Sequence, residues 1–304
     1  MSLHIAVCIV GYRNPQDLAH CLAALEGSTY SDFEIIVCEN GGADSSAILS
    51  RILPKRLAGG QTVTLIDAKA NLGFAGGVNL CLKQAPDADG WWILNPDTQP
   101  DSHALSALVA RLERGDRDAV GGKLHWRNGR IQSYGGRWRP WLARAVSLGM
   151  GAPLDADVDA ASIERMQNYL SGASMLVGRR FVELAGPMRE DYFLYCEEVE
   201  WCLRAKARGA RLGFAPDARV EHAHGATTGA GEGASSQPRL PVFLNERNRL
   251  LLTRDRFPRR LSIAAPAALI LMVLRYGRRG AWRQLRYGLG GWWAGIVNRR
   301  GADF

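Results

Sequence analysis

Along the first 125 residues, short apolar runs alternate with stretches whose apolar positions recur every three or four residues. Residues 4–10, 33–38, 62–67 and 91–94 are brief runs rich in Ile, Val and Leu or Trp, the pattern of buried strands. Between them, Leu18, Leu22 and Leu25 lie on one helical face of 15–25. Helices are also expected at 44–57, with Asp44 or Ser45 as cap, at 74–84, and at 102–113, with Asp101 or Ser102 as cap. Alternation with this period predicts right-handed strand–helix–strand units and an α/β architecture whose sheet is mostly parallel and flanked by helices. In such sheets ligands bind beyond the C-terminal ends of the strands, so the polar clusters after each strand are where chemistry belongs.

The pattern then changes. Residues 119–138 read as short strands with glycine turns, 150–165 as a polar loop, 171–177 as a strand, 197–207 as a helix, and 211–214 and 218–222 as two short strands. Residues 225–238 are rich in Gly, Ala and Ser and read as a mobile loop. This divides the chain into a body, 1–238, and a helical segment, 239–304, with helices near 240–256, 259–276 and 280–297. No internal repeat is visible.

Charge sharpens that division. The chain carries +8 overall, but residues 254–304 hold eleven arginines against Asp255 and Asp303, a local +9, leaving the rest at −1. A near-neutral body with a basic tail implies an anionic partner for the tail. The tail interleaves its arginines with Tyr276, Trp282, Tyr287, Trp292 and Trp293, as at a membrane interface. Its apolar stretch, 261–274, would span about 21 Å as a helix against roughly 30 Å of bilayer hydrocarbon, which favours an interfacial or re-entrant helix. A helical cap on the body or a dimer interface are the other uses of such a segment. Nucleic acid is not an expected partner, because the body carries no nucleic-acid motif. The six cysteines form no CxxC pair and read as buried, reduced thiols of a cytoplasmic protein. The apolar N-terminal run is short, lacks a basic lead and reads as a first strand rather than a signal peptide.

Five clusters could carry chemistry. Asn95-Pro96-Asp97 follows an apolar strand, and a carboxylate in that turn suits a hard divalent cation shared with diphosphate oxygens, or simply caps the next helix. Glu197, Glu198 and Glu200 crowd a helix start, where one could serve as a general base or all could answer the helix dipole. His222 and His224, two apart at the end of a strand, face one side, and either could complete a metal site with Asp97. Residues 71–79, NLGFAGGVN, put Asn71, Gly73 and further glycines at a strand-to-helix junction that permits close backbone approach of a phosphate. The segment is neither a dinucleotide fingerprint nor a Walker A loop. Glu39, after the second strand, could accept the imide N–H of a uracil or thymine ring, or belong to an ordinary turn.

In order, VGYRN (10–14), ENGGAD (39–44), NLGFAGGVN (71–79), LNPD (94–97), FLYCEEVEWCLR (193–204) and VEHAHGAT (220–227) resemble glycosyltransferase family 2, of GT-A fold. The likeness is greatest to the rhamnosyltransferase branch that builds bacterial surface polysaccharides, and it covers about residues 4–255. It implies inverting transfer of a sugar from a nucleotide diphosphate donor, assisted by Mg²⁺ or Mn²⁺. The donor would be dTDP-L-rhamnose, with a UDP-hexose as the alternative. The acceptor would be a lipid-linked or polysaccharide hydroxyl, reached by a protein peripheral to the inner face of the cytoplasmic membrane. By position, Glu39 would read the pyrimidine, and Tyr12 and Asn71 would flank base and ribose. Gly73 and Asn95 would lie on the donor side, and Asp97 would hold the metal with His222. Glu198 would be the base, Glu197 and Trp201 would shape the acceptor side, and Arg204 the diphosphate side.

The sequence departs from the family at four places. Arg13-Asn14 reverses a common order, Glu39 and Glu198 stand where Asp is usual, and Arg189 stands where an acid is frequent. A nucleotidyltransferase, or a non-catalytic glycan- or lipid-binding scaffold, are the competing classes. The first would carry more basic residues in the loop at 11–15, and the second would not need Asp97, Glu198 and His222.

Overall fold

The computed structural model describes residues 2–223 and 235–303. The first half follows the expected alternation: β1 (Ile5–Gly11), α1 (Pro15–Glu26), β2 (Phe33–Glu39), α2 (Ala43–Ile52), β3 (Val63–Asp67), α3 (Gly73–Gln84) and β4 (Gly90–Leu94). Then come β5 (Thr98–Pro100), α4 (Ala104–Leu112), β6 (Ala119–His125), β7 (Ile131–Ser133), β8 (Gly136–Arg139), β9 (Arg144–Ser147) and α5 (Ala160–Met166). The chain continues through β10 (Ser174–Gly178), α6 (Arg179–Ala185), α7 (Glu197–Ala207) and β11 (Leu212–His222). It finishes with α8 (Arg239–Arg256), α9 (Leu261–Gly277) and α10 (Trp282–Ile296).

The main sheet runs β3-β2-β1-β4-β10-β6-β11-β5, with β7 on β6. Its first four strands are parallel. β10 is antiparallel to both β4 and β6, and β5 is antiparallel to β11. The sheet is therefore mixed rather than mostly parallel. Simple strand–helix crossovers end at β4; β10 arrives from the opposite end after the excursion through β7–β9 and α5. The apolar runs of β1, β2 and β4 are buried on both faces, as a covered sheet requires, and β3, at the sheet edge, is half-buried. One core cluster joins α3, α7 and β10, the other α1, α4 and the opposite face of β1, β2 and β4.

Several boundaries shift for local reasons. α2 stops at Ile52 rather than running to 57, because Leu53 precedes Pro54 and is forced extended, at ψ 131°. Neither α2 nor α4 has a side-chain cap; Gly42 and His103 occupy those positions. The two strands expected at 211–222 are one, β11, with a register shift between Phe214 and Arg219 around Pro216. β5, β9, α5 and α6 carry no pattern strong enough to anticipate.

The C-terminal helices are fastened to the body. Leu250, Leu251 and Leu252 of α8, and Ala264, Ala265 and Ala268 of α9, belong to the same core cluster as β1, α3 and α7, so the core runs continuously across residue 238. Arg300 pairs with Asp191 and Asp255, which also receive Arg189. α10 approaches α8 closely because Gly291 and Gly295 have no side chain there: a Cβ on Gly291 would lie 2.2 Å from the Phe243 carbonyl oxygen. With the short turn before it, α9 forms a 20-residue span, Pro258–Gly277, with an 18-residue stretch of mean hydropathy 1.4, so it is longer than the apolar stretch alone predicts.

Candidate functional site

Two groups of the anticipated residues collect at the C-terminal edge of the parallel strands. The first centres on the end of β2. Glu39 Oε1 accepts from the backbone N–H of Arg13 at 3.1 Å and of Gly41 at 2.6 Å. Asn40 donates to the Gly73 carbonyl at 2.8 Å. These bonds draw together the loops carrying Tyr12 and Asn71, both exposed. Asn71 Oδ1 in turn accepts from the Gly73 N–H at 3.0 Å. Glu39 is almost wholly buried, yet its Oε2 has no partner among the described residues. An orphaned buried oxygen costs about 1–3 kcal/mol, so an arriving N–H donor is strongly favoured there. Gly73 sits at φ +71°, and a Cβ there would strike the Phe193 carbonyl oxygen at 2.1 Å. Its glycine is needed for chain–chain contact, with Phe74 N–H donating to that same carbonyl.

The second group lines a cavity of about 420 Å³. Asn95, Asp97, Glu197, Glu198 and His222 all face it. β5 explains how Asp97 and His222 meet, since it pairs Thr98 with His222 across the antiparallel edge. His222 Nε2 is 3.4 Å from Asp97 Oδ1. Behind the ring, Gln132 on β7 donates from Nε2 to the His222 carbonyl at 2.6 Å, which turns its Oε1 to His222 Nδ1 at 2.9 Å. An amide oxygen only accepts, so Nδ1 carries the hydrogen, and in the neutral ring the Nε2 lone pair is directed at the carboxylate side. A carboxylate and an imidazole lone pair sharing one point fit a divalent cation. Among the described residues no third His, Cys, Asp or Glu joins them, which suits a cation that completes its shell with ligand oxygens. His224 lies outside the described residues.

Glu197 and Glu198 open α7. Burial pushes both carboxyls up, and for Glu197 the neighbouring Glu198 charge adds to it. Desolvation, rather than crowding of three acids, is the main cause. Glu200 has left the group: it is buried against Arg204, at 3.0 Å, with Arg256 at 4.0 Å. Arg204 is committed to Glu200 and to the carbonyls of Ala185 and Pro187. Trp201 is fully buried, edge-on to Phe181 at 4.8 Å, with its Nε1 donating to the Gly186 carbonyl. Neither Trp201 nor Arg204 lines the cavity. One turn along α7 the helix has already passed against α6, and large side chains there are packing partners.

A model of glycosyl transferase family 2 matches residues 6–166. The chain belongs to that family. It is 28% identical over 269 residues to N-acetylglucosaminyl-diphospho-decaprenol L-rhamnosyltransferase of Mycobacterium tuberculosis (strain ATCC 25618 / H37Rv), covering 80% of this chain and 85% of the relative. It is 21% identical over 272 residues to the low-salt glycan biosynthesis hexosyltransferase Agl10 of Haloferax volcanii, covering 88% and 81%. Among solved structures, the mannosyltransferase PcManGT of Pyrobaculum calidifontis, in complex with GDP-Man and Mn²⁺, superposes with a TM-score of 0.55 at 15% identity, over 98% of this chain and 88% of that one. S. aureus TarS 1–349 does so with a TM-score of 0.56 at 14% identity, over 98% and 82%. The fold is GT-A, and this family 2 member is a glycosyltransferase.

In this glycosyltransferase the loop before Glu197 is backbone-strained. Phe193, Tyr195 and Cys196 have φ of 67°, 74° and 70°, a left-handed region that non-glycine residues avoid. Such residues cost on the order of 1–3 kcal/mol each and persist only when their surroundings hold them. The clamp is Asn248 on α8, whose Nδ2 lies within hydrogen-bond distance of the carbonyls of Tyr192, Leu194 and Tyr195, at 2.9, 2.7 and 2.9 Å. Arg247 donates to the Tyr192 and Gly301 carbonyls. Sequence reasoning missed both. The only signal is a polar run, 245–249, set between the apolar stretches 240–244 and 250–252 of α8.

Proposed function

We propose that this glycosyltransferase moves a sugar, with inversion, from a nucleotide diphosphate donor to a hydroxyl of a lipid-linked glycan, with Glu198 as the base. The observation that carries the reading is the shared cavity: Glu198 on one wall, the Asp97–His222 pair on another, and the Glu39 oxygen waiting at the adjoining strand ends. The relative named as an L-rhamnosyltransferase supports L-rhamnose, and hence dTDP-L-rhamnose, as donor; its name also supports a lipid-diphosphate-linked acceptor. A UDP-hexose is the second reading, since Glu39 addresses an imide N–H that uracil and thymine share.

Glu39 Oε2 accepts that N–H, while Tyr12 and Asn71 flank base and ribose. Asp97 and His222 would hold Mg²⁺ or Mn²⁺. When bound, the cation supplies charge stabilisation to the departing nucleoside diphosphate. Glu198 takes the proton of the attacking hydroxyl, and its raised pKa makes it a stronger base than an exposed carboxylate. Glu197 stands beside it on the acceptor side. The exposed Ile263, Ile270, Trp282 and Trp293, with Arg278, Arg279, Arg283 and Arg286, form the surface we assign to the anionic inner leaflet, which makes the protein cytoplasmic and peripheral.

Titration calorimetry with dTDP and UDP, each with and without Mn²⁺, tests the reading. Metal-dependent binding of dTDP alone supports the deoxysugar donor, and UDP alone transfers the same chemistry to a hexose. Binding of neither overturns it. In Asp97→Ala, metal-dependent nucleotide binding is lost; affinity that still rises with Mn²⁺ would remove Asp97 from the metal.

A further inference from the structure

The excursion between β6 and α5 carries a charge that the sum over the body conceals. Between Asp118 and Asp155 the chain has Lys123, Arg127, Arg130, Arg137, Arg139 and Arg144 and no acidic residue, a local +6 within the first 253 residues, which together carry −1. Three of these arginines sit on the β8–β9 hairpin. Trp138 is buried in the main core, so Arg137 and Arg139 on either side of it point outward and are exposed. Arg139 lies directly opposite the exposed Arg144, and neither has a carboxylate partner among the described residues. Like charges directly opposed destabilise a strand pair. An anion over the ribbon relieves that repulsion. At the tip between the two arginines, Trp141 and Leu142 are exposed. The tip abuts the start of α9: the Arg260 guanidinium lies 4.8 Å from the centroid of the Trp141 ring. Ile263, also exposed, is only about 60° around the helix from Arg260, at roughly 100° per residue.

We propose that the β8–β9 hairpin is a second membrane contact, carried by the body rather than by the tail. Trp141 and Leu142 enter the interface of an anionic bilayer, and Arg137, Arg139 and Arg144 pair with lipid phosphates. The inference extends the assignment of the C-terminal helices to the inner leaflet, on which it rests, to a part of the chain that the basic tail does not include. An indole and an isobutyl group exposed between arginines have the composition of an interfacial contact, with the aromatic ring at headgroup depth and the guanidiniums on the phosphates. Guanidiniums also match phosphate with paired donors in a fixed fork. The hairpin gives the contact a consequence for the site. Ser147, at the other end of β9, lines the cavity, so about 10 Å of strand separates Arg144 from the cavity wall. A bilayer held at the tip and along α9 therefore lies close to the cavity.

The test uses the full chain with vesicles of phosphatidylglycerol and phosphatidylcholine in equal parts, against phosphatidylcholine alone. All six cysteines are buried, so Leu142→Cys takes a polarity-sensitive dye at the hairpin tip, and Ile48→Cys takes it on exposed α2 as a control. With the anionic vesicles the dye at 142 brightens and shifts to the blue, and the dye at 48 does not. Arg139→Gln/Arg144→Gln lowers vesicle partitioning by about tenfold or more, and the same charge change on α2, Arg51→Gln/Lys55→Gln, leaves it near wild type. Equal losses in the two pairs would assign binding to net charge and overturn the proposal. Vesicles that sediment the protein while the dye at 142 stays silent would also overturn it, leaving the membrane contact to the C-terminal helices alone. A dye response that oligothymidylate produces as well as the vesicles do would make nucleic acid the partner instead. If the wild type binds no vesicles, the hairpin and the tail assignments fall together, and the glycosyl-transfer reading stands apart from both.

Discussion

The edge formed by β1, β2 and β3 and the wall formed by residues 192–198 both serve the cavity region, but they are held differently. The first is made by neighbours in sequence order. Glu39 is positioned by the end of its own strand and by the adjoining loop of β1, through two backbone N–H groups. The second depends on residues some fifty positions later, because a run of left-handed residues is kept in place by Asn248 and Arg247. A site can thus combine a half whose geometry is a by-product of regular folding with a half whose geometry is imposed against backbone preference. Damage to the two halves should look different: loss of affinity on the strand side, loss of rate on the clamped side.

The largest effect is expected from Glu198→Gln, which removes the proposed base and leaves the strand edge alone. Turnover should fall by about 10²–10⁴-fold with nucleotide affinity unchanged. Single-turnover kinetics beside calorimetry would show it, and near-normal turnover would break the assignment. Asn248→Ala comes next. It strips three carbonyl contacts from the strained loop, so kcat should drop by roughly tenfold to a hundredfold as Glu198 loses its position, while nucleotide affinity stays put. A parallel loss of nucleotide affinity would mean that the two halves are one mechanical unit. Glu39→Gln tests the opposite half. It should weaken UDP or dTDP binding by about tenfold and leave kcat at saturating donor nearly untouched.

The smallest effect is thermodynamic. Burial and the Glu198 charge raise the Glu197 carboxyl from its ordinary 4.5 to about 8. An acid raised in the folded state contributes stability that is complete below the unfolded value and is lost as pH rises through the folded one. Glu197→Gln, which cannot ionise, should match wild type near pH 4.5 and melt at a higher temperature than wild type above pH 8. Thermal scans across that range would show the gap opening, and a gap independent of pH would sink the explanation.

The same division decides what could be read from sequence. The alternation of β1 to β4 was legible because each run is local and apolar, and residues such as Glu39 and Asp97 follow directly as the polar positions at strand ends. The sheet beyond β4 was not legible as mixed, because nothing near β10 records the direction from which the chain returns. Position alone left His222 and His224 both open as the partner of Asp97, and resemblance singled out His222; the device that joins them, the three-residue β5, is too short to carry a pattern. Trp201 and Arg204 sit in the motif yet face away from the cavity, since a motif orders residues along a helix without saying which of them the neighbouring helix will cover. Asn248 and Arg247 went unnoticed because their partners are carbonyl oxygens, which every residue has and no sequence pattern marks. The expected loop at 225–238 falls largely outside the described residues.

The underside of the 192–196 loop has a consequence for how the protein is made. Arg247 bonds to the Gly301 carbonyl, the Gly301 N–H to the Asp191 carbonyl, and Arg300 to Asp191 and Asp255. A chain emerging from the ribosome N-terminus first can form the β1–β4 half early, domain segments being able to fold as they appear. The wall that carries Glu198 must wait for residues 247, 248, 300 and 301. The strand edge proposed to read the nucleotide can therefore take shape well before the wall that carries Glu198.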